Sequence, residues 1–171
     1  MNFDKLSKGK NFPEEVNVVV EIPAGSSIKY EIDEESGLVT VDRMVYTAMQ
    51  FPFNYGSVPH TKAGDGDPVD VLVLSSHPVQ PGSVLPARPV GVLEMEDESG
   101  MDHKIIAVPT EKIDPFFAHI KDVEDIPEPE RAKIKHFFEH YKELEPGKWV
   151  KVQNFKDRDA ALKEISDSVE E

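Results

Sequence analysis

Asp65, Asp67 and Asp70 crowd into "DGDPVDVLV", and an apolar run begins where they end. Asp65 and Gly66 read equally well as an ordinary polar turn. Asp70 is harder to place that way. It stands between Val69 and Val71, and an unpaired carboxylate in an apolar run is costly to bury. A multivalent cation compensates such a charge, and hard oxygen ligands without cysteine point to magnesium, manganese or calcium. Pro68 holds φ near −65° and aims Asp67 and Asp70 separately.

A second acidic cluster is "EMEDESGMDHK". Ser99 and Gly100 suit a hairpin tip, flanked by Asp97 and Asp102. The two carboxylates either converge on one cation or form a plain exposed acidic hairpin. Polar groups of the opposite kind punctuate the chain: Lys29 beside Glu31, then Arg43, Tyr55, Lys104, Tyr141 and Lys142. Singly they read as surface cations and core tyrosines. Together they are a set of donors for phosphate oxygens.

Three other readings compete. A calcium loop of the EF-hand type starting at Asp65 fails, because its sixth and twelfth positions are Asp70 and Ser76. The aspartyl-phosphate pattern D-x-D-x-[TV] fits the letters Asp65 to Val69, but there the apolar strand precedes the first aspartate and here it follows. "HFFEH" at 136–140 fits the inverted zinc-peptidase helix, with His136 and His140 on one helix face. The plainer reading is a helix face that meets a subunit.

The elements that must position these groups are mostly strands. Candidates are 17–22, 27–33, 38–41, 69–74, 89–96 and 104–109, with Ile28, Tyr30 and Ile32 alternating against Lys29, Glu31 and Asp33. Residues 128–145 carry apolar side chains at helical spacing, opened by Pro127 and Pro129 and stopped by Pro146-Gly147. Tyr141 and Lys142 then fall on that helix. A strand in "KWVKVQNF", a helix capped by Asp157 and a shorter helix over 115–121 complete the pattern. The expected fold is α+β: a small closed antiparallel β-barrel, OB-like, with two main C-terminal helices packed alongside.

The 171 residues suit one domain, 1–171, and carry a net charge of −14. That charge repels nucleic acid and anionic lipid, so neither is expected as a partner. No apolar run approaches a membrane span, no secretory leader opens the chain, and there is no cysteine; a cytoplasmic location is expected.

"DGDPVDV" satisfies every position of D-[SGDN]-D-[PE]-[LIVMF]-D-[LIVMGAC], and "EIPAGSSIKYEID", "VDRMVYTAMQFPFNYG", "PVGVLEMEDESGMDHKIIAVP", "HIKDV" and "HFFEHYKELEPGKWVKV" follow in order. On these blocks the chain resembles the family I soluble inorganic pyrophosphatases of the short bacterial and archaeal type. The resemblance implies Mg²⁺-dependent hydrolysis of pyrophosphate to two orthophosphates by a water attacking in line. It implies several Mg²⁺ ions per site, with Mn²⁺ as a substitute. By motif position, Asp65, Asp70 and Asp102 resemble ligands of a tight metal, with Asp70 bridging to a second. Asp97 and Asp102 resemble ligands of a metal that arrives with substrate, Glu31 an outer contact and Glu21 a water-mediated one. Lys29, Arg43, Tyr55, Lys104, Tyr141 and Lys142 resemble the phosphate-binding set, and Asp67 the general base. A homohexamer of two stacked trimers is implied, with the helix of His136, His140 and Glu143 near a contact between trimers. Phe51 stands where many relatives carry tyrosine, which implies a missing hydroxyl at the site rim, and "PAGSS" is a residue shorter than in some. The alternative function is a non-catalytic barrel that binds an anionic ligand through metal.

Overall fold

The structure, a computed structural model, describes residues 5–33 and 35–169. In chain order its elements are β1 (Val16–Ile22), β2 (Ile28–Ile32), β3 (Val39–Met44), β4 (Asn54–Ser57), β5 (Asp70–Val73), β6 (Val84–Asp97), β7 (Gly100–Met101), β8 (Lys104–Pro109), α1 (Glu128–His140), β9 (Val150–Lys156) and α2 (Arg158–Asp167).

Five strands close on themselves in the order β1–β4–β5–β8–β6, and β6 returns to β1. Four of these pairings are antiparallel. The fifth, β5 with β8, is parallel, which corrects the all-antiparallel expectation. The two strands are separated in sequence by the whole of β6 and β7, so the chain has the length a parallel connection needs. β6 is the hub: it pairs with β1, β7, β8 and β9. It starts at Val84, earlier than the expected 89, because a bulge between Pro89 and Gly91 lets the ladder run past two prolines.

The continuous apolar runs "VDVLVL" and "KIIAVP" follow from burial on both strand faces. Leu72, Leu74, Ile106 and Val108 join one core cluster, which takes Ile134, Phe137 and Phe138 of α1. Val71, Val73, Ile105 and Ala107 join the other, which takes Ala161 and Ile165 of α2. Each helix therefore covers one face of the same strands.

β2 and β3 form a separate two-stranded sheet. Ile28, Tyr30 and Ile32 are only half-buried there. Glu21 of β1 links this sheet to the ring by accepting a hydrogen bond from the Ile32 N–H at 3.1 Å.

Three local expectations are corrected. α1 ends at His140, not 145: Tyr141 is its C-cap, and the chain continues as tight turns (Glu145 N–H to Lys142 C=O, 3.0 Å) that bury Lys142 and Glu145. Tyr141 and Lys142 thus follow the helix rather than lie on it. The shorter helix over 115–121 is a single 3₁₀ turn, Pro115–Phe117, and a second such turn, Val123–Asp125, lies beyond it; each is opened by an aspartate cap, Asp114 and Asp122. α2 starts as expected, with Asp157 accepting from the Ala160 N–H at 2.9 Å.

Candidate active site

The site is built where strands of the ring end and the β2–β3 sheet leans over them. β4 carries the half-buried Tyr55, and β5 opens with Asp70 directly across from Ser57. Between them the 61–69 loop turns through Gly66 at φ +97°, a left-handed conformation that glycine adopts without strain. Asp65 caps its own turn by accepting from the Asp67 N–H at 3.1 Å. Thr61 closes the loop base, donating to Val58 C=O at 2.7 Å and accepting from the Val69 N–H at 3.0 Å.

Two cavities meet at Asp70. A cleft of about 620 Å³ is lined by Glu21, Lys29, Glu31, Tyr55, Asp67 and Asp70, among others. A pocket of about 80 Å³ is lined by Asp65, Asp70, Asp102, His103 and Glu164, among others. Asp70 is the only carboxylate common to both linings.

Lys104 organises the floor. It is 3% exposed, donates to Asp70 Oδ2 at 2.6 Å and to Asp102 Oδ1, and lies 5.7 Å from the centre of the Tyr55 ring. Burial opposes its charge, but Asp70 and Asp102 outweigh burial and hold its pKa above the ordinary lysine range. Lys142 plays the same part for the hairpin, donating to Asp97 Oδ2 at 2.8 Å and lying 3.3 Å from Glu98 Oε2. Asp97 and Asp102 are therefore each engaged by a different lysine rather than turned onto a shared point. On the β2–β3 side, Lys29 donates to Glu31 Oε1 at 2.5 Å and to Asp42 Oδ2 at 3.0 Å. Arg43 pairs through Nε with Glu145 Oε1 at 2.8 Å and through a terminal nitrogen with Asp42. Tyr141, half-buried, joins the two sides: the charges of Lys104, Asp102, Lys29 and Arg43 all bear on its hydroxyl.

Negative charge is in excess at the cleft. Burial, reinforced by Asp70 and Glu31, pushes the Glu21 carboxyl up to about 7, against the hydrogen bond from Ile32. Partial burial and then Asp65, Asp70 and Glu31 push Asp67 above the usual carboxylate range. Burial does the same to Asp102, against the pull of Lys104. Asp97 goes the other way: although burial raises it, Lys142 and the Ser99 N–H hold it low.

The expected residues fall into three groups. Glu21, Lys29, Glu31, Tyr55, Asp67 and Asp70 share the cleft. Asp65, Asp70 and Asp102 share the small pocket. Arg43, Asp97, Lys104, Tyr141 and Lys142 line neither and reach the centre through ion pairs and Tyr141. Among the described residues no three His, Asp or Glu side chains form a ready metal cage. Asp70 and Asp102 are instead drawn onto the Lys104 ammonium, a cation already standing between them. The donor set still fits a hard divalent ion: oxygen ligands only, several of them pushed toward protonation by uncompensated neighbours.

Sequence reasoning missed Asp42, Glu98 and Glu145, the carboxylates that hold Lys29, Arg43 and Lys142 in place. Phe51 also differs from expectation. It is 2% exposed, with its ring 5.5 Å from Tyr55, 4.8 Å from Phe137 and 6.0 Å from Tyr141. It supports the two tyrosines from inside the core instead of lining the rim. His136 and His140 keep their shared face, rings 4.6 Å apart, and His140 Nδ1 lies 2.8 Å from Glu143 Oε2.

The family model for inorganic pyrophosphatase matches residues 18–171. The chain belongs to the inorganic pyrophosphatase family. It is 58% identical over 170 residues to the inorganic pyrophosphatase of Aquifex pyrophilus, spanning 99% of this chain and 96% of that one. To the inorganic pyrophosphatase of Escherichia coli strain K12 it is 55% identical over 171 residues, spanning 99% and 97%. The crystal structure of the Thermus thermophilus inorganic pyrophosphatase superposes with a TM-score of 0.95 at 47% identity, covering 99% of this chain and 97% of that one. The inorganic pyrophosphatase family accounts for the carboxylate-rich cleft and removes the zinc-peptidase and aspartyl-phosphate readings. A non-catalytic anion-binding barrel finds no support in these matches. No helix among the described residues is long and apolar enough to cross a membrane.

Proposed function

We propose that this chain, as one pyrophosphatase domain over 1–171, hydrolyses inorganic pyrophosphate to two orthophosphates. Water oxygen bonds to one phosphorus, the bridging P–O bond breaks opposite it, and the water proton passes to the protein. Asp67 is the proton acceptor. It sits in the cleft, it is not tied up by a lysine, and its neighbours raise its affinity for a proton, which suits a general base. Lys29, Arg43, Lys104 and Lys142 supply positive charge to phosphate oxygens, and the Tyr55 and Tyr141 hydroxyls, kept protonated by burial, donate hydrogen bonds. Each basic group is already aimed by a carboxylate, so little reorganisation is needed when substrate arrives.

Mg²⁺, several ions per site with Mn²⁺ as a substitute, would be held by Asp65, Asp70, Asp97 and Asp102, with Glu31 and Glu21 further out. When bound it neutralises the tetra-anion and acidifies water. The observation that carries this reading is Asp70, the one carboxylate shared by the cleft and the small pocket, placed to serve a metal on either side. The enzyme works in the cytoplasm as a homohexamer of two trimers, with the helix of His136, His140 and Glu143 at a contact between them; neither nucleic acid nor membrane is a partner.

The test is orthophosphate release from pyrophosphate with and without Mg²⁺. Release of two orthophosphates that stops in excess chelator and returns with Mg²⁺ is expected. Full activity in chelator would overturn the metal assignment, and no release in either condition would overturn the activity.

A further inference from the structure

We infer that α2 is a strut that sets the spacing between the two aspartate-bearing segments, with Glu164 as a positioning residue acting through His103. This rests on the reading of Asp65, Asp70 and Asp102 as metal ligands.

The helix is well seated. Asp157 caps its start, the Arg158 N–H donates to Asp122 Oδ2 at 3.0 Å, and Ala161 and Ile165 are fully buried in the cluster against β1, β5, β6 and β8. From that seat its second half makes two tethers. The first runs to the loop of Asp65 and Asp67. Ser168, the C-cap, has a backbone carbonyl that no helical N–H reaches, and it accepts from the Lys62 N–H at 2.7 Å. Val169 pairs with Thr61 as an isolated antiparallel bridge. The second tether runs to the hairpin. Glu164 Oε1 lies 3.2 Å from Nδ1 of His103, the residue that follows Asp102.

Among the described residues no hydrogen bond joins 61–67 directly to 102–103. Yet Asp65 and Asp102 face the same 80 Å³ pocket, and His103 and Glu164 form part of its wall. α2 therefore ties the outer parts of the two segments together, beyond the β5–β8 pairing and the Lys104 bridge that join them at the strand ends. Nε2 of His103 is buried without a partner, so the single contact with Glu164 is what orients the ring. A carboxylate that orients a metal ligand directly changes metal affinity by roughly 10–100-fold, and Glu164, one residue removed from Asp102, acts at the lower end of that range. Of the phosphate-binding set only Lys104 adjoins this contact, and it is held by Asp70 as well as by Asp102, so its place does not depend on His103 alone.

The experiment is a calorimetric Mg²⁺ titration of wild type, Glu164→Ala, Glu164→Gln, His103→Ala and the double variant His103→Ala/Glu164→Ala, beside KM and kcat at saturating Mg²⁺. Glu164→Ala and His103→Ala should each weaken the tight Mg²⁺ site roughly tenfold. The double variant should be no worse than either single one, and Glu164→Gln, which keeps an oxygen acceptor, should retain most of the affinity. The KM for pyrophosphate at saturating Mg²⁺ should stay near the wild-type value. If wild type binds no Mg²⁺, the metal reading itself falls. If wild type binds Mg²⁺ while Glu164→Gln and His103→Ala both match it, or the two alanine changes add independently, the strut is overturned. Should Glu164→Ala not fold by circular dichroism, Glu164→Gln and His103→Ala still decide: affinity kept by the first and lost by the second supports the strut, and any other result overturns it.

Discussion

Asp67 and Asp70 differ by three positions and by everything around them. Asp70 is paired with a buried lysine and shared between two cavities; Asp67 is exposed, lysine-free and pushed toward protonation by its neighbours. That contrast is why the base role is proposed for Asp67 and not for Asp70. Asp67→Asn should lower kcat by roughly 10²-fold or more while leaving Mg²⁺ affinity within a few-fold. A raised carboxyl pKa places the loss of the base form on the acid side of the pH–rate profile, so the variant should also lose that acid limb. Stopped-time phosphate release across pH checks both; near-normal turnover with the limb intact would remove Asp67 from the role. The aspartates were legible in sequence because their crowding beside an apolar run violates the ordinary cost of burial. Their partners were not. Asp42 holds Lys29 and Arg43, Glu145 holds Arg43, and Glu98 holds Lys142, across separations of one residue to more than a hundred. Charged residues at such distances carry no local pattern, and each alone reads as a solvated surface group.

At the scale of elements, the least legible strand is the one that carries Tyr55. β4 is four residues long, lies between Pro52 and Pro59, and contains a glycine, all of which argue for a loop. It is a strand because β1 and β5 flank it and complete its hydrogen bonds. Asn54 fastens its start: its side chain accepts from Ala24 and Val79 N–H at 3.0 and 2.8 Å and donates to Ser75 Oγ and His77 C=O at 2.6 and 3.1 Å. Gly56 is required by the approach of β1, since a Cβ there would lie 2.0 Å from Val19 C=O, an atom of the backbone that cannot rotate away. Gly56→Ala should therefore separate β1 from β4, with a stability loss of about 1–3 kcal/mol or more from overpacking. It should also shift Tyr55 and reduce kcat/KM, although no atom of Gly56 meets substrate. Denaturant unfolding and steady-state kinetics test the pair of effects; unchanged stability would mean that the ladder yields more easily than this contact implies. The strands on either side were legible for the opposite reason. Apart from Asp70 and Lys104, "VDVLVL" and "KIIAVP" are apolar throughout because both faces are covered, and such runs stand out without any alternation. The helix at 128–145 was legible in its start and its stripe but not in its end, because the turns after His140 keep near-helical spacing while tightening to bury Lys142 and Glu145.

For the whole molecule, charge is the constraint. Each chain carries −14, and copies of one acidic chain repel beyond contact, screened over ~8 Å at physiological salt. A hexamer can persist only where a contact is locally relieved of that repulsion. The end of α1 is such a place: His136 and His140 lie side by side on its outer face, and Glu143 is engaged by His140 instead of standing free. Replacing both His136 and His140 by alanine should therefore weaken assembly, shifting sedimentation velocity toward trimers at a protein concentration where the wild type remains hexameric. Activity should fall in step with dissociation and recover as protein concentration rises, because no catalytic group is touched. Identical sedimentation of wild type and double variant at every protein concentration would remove this helix from the contact, and a loss of activity independent of protein concentration would place the histidines in the chemistry instead.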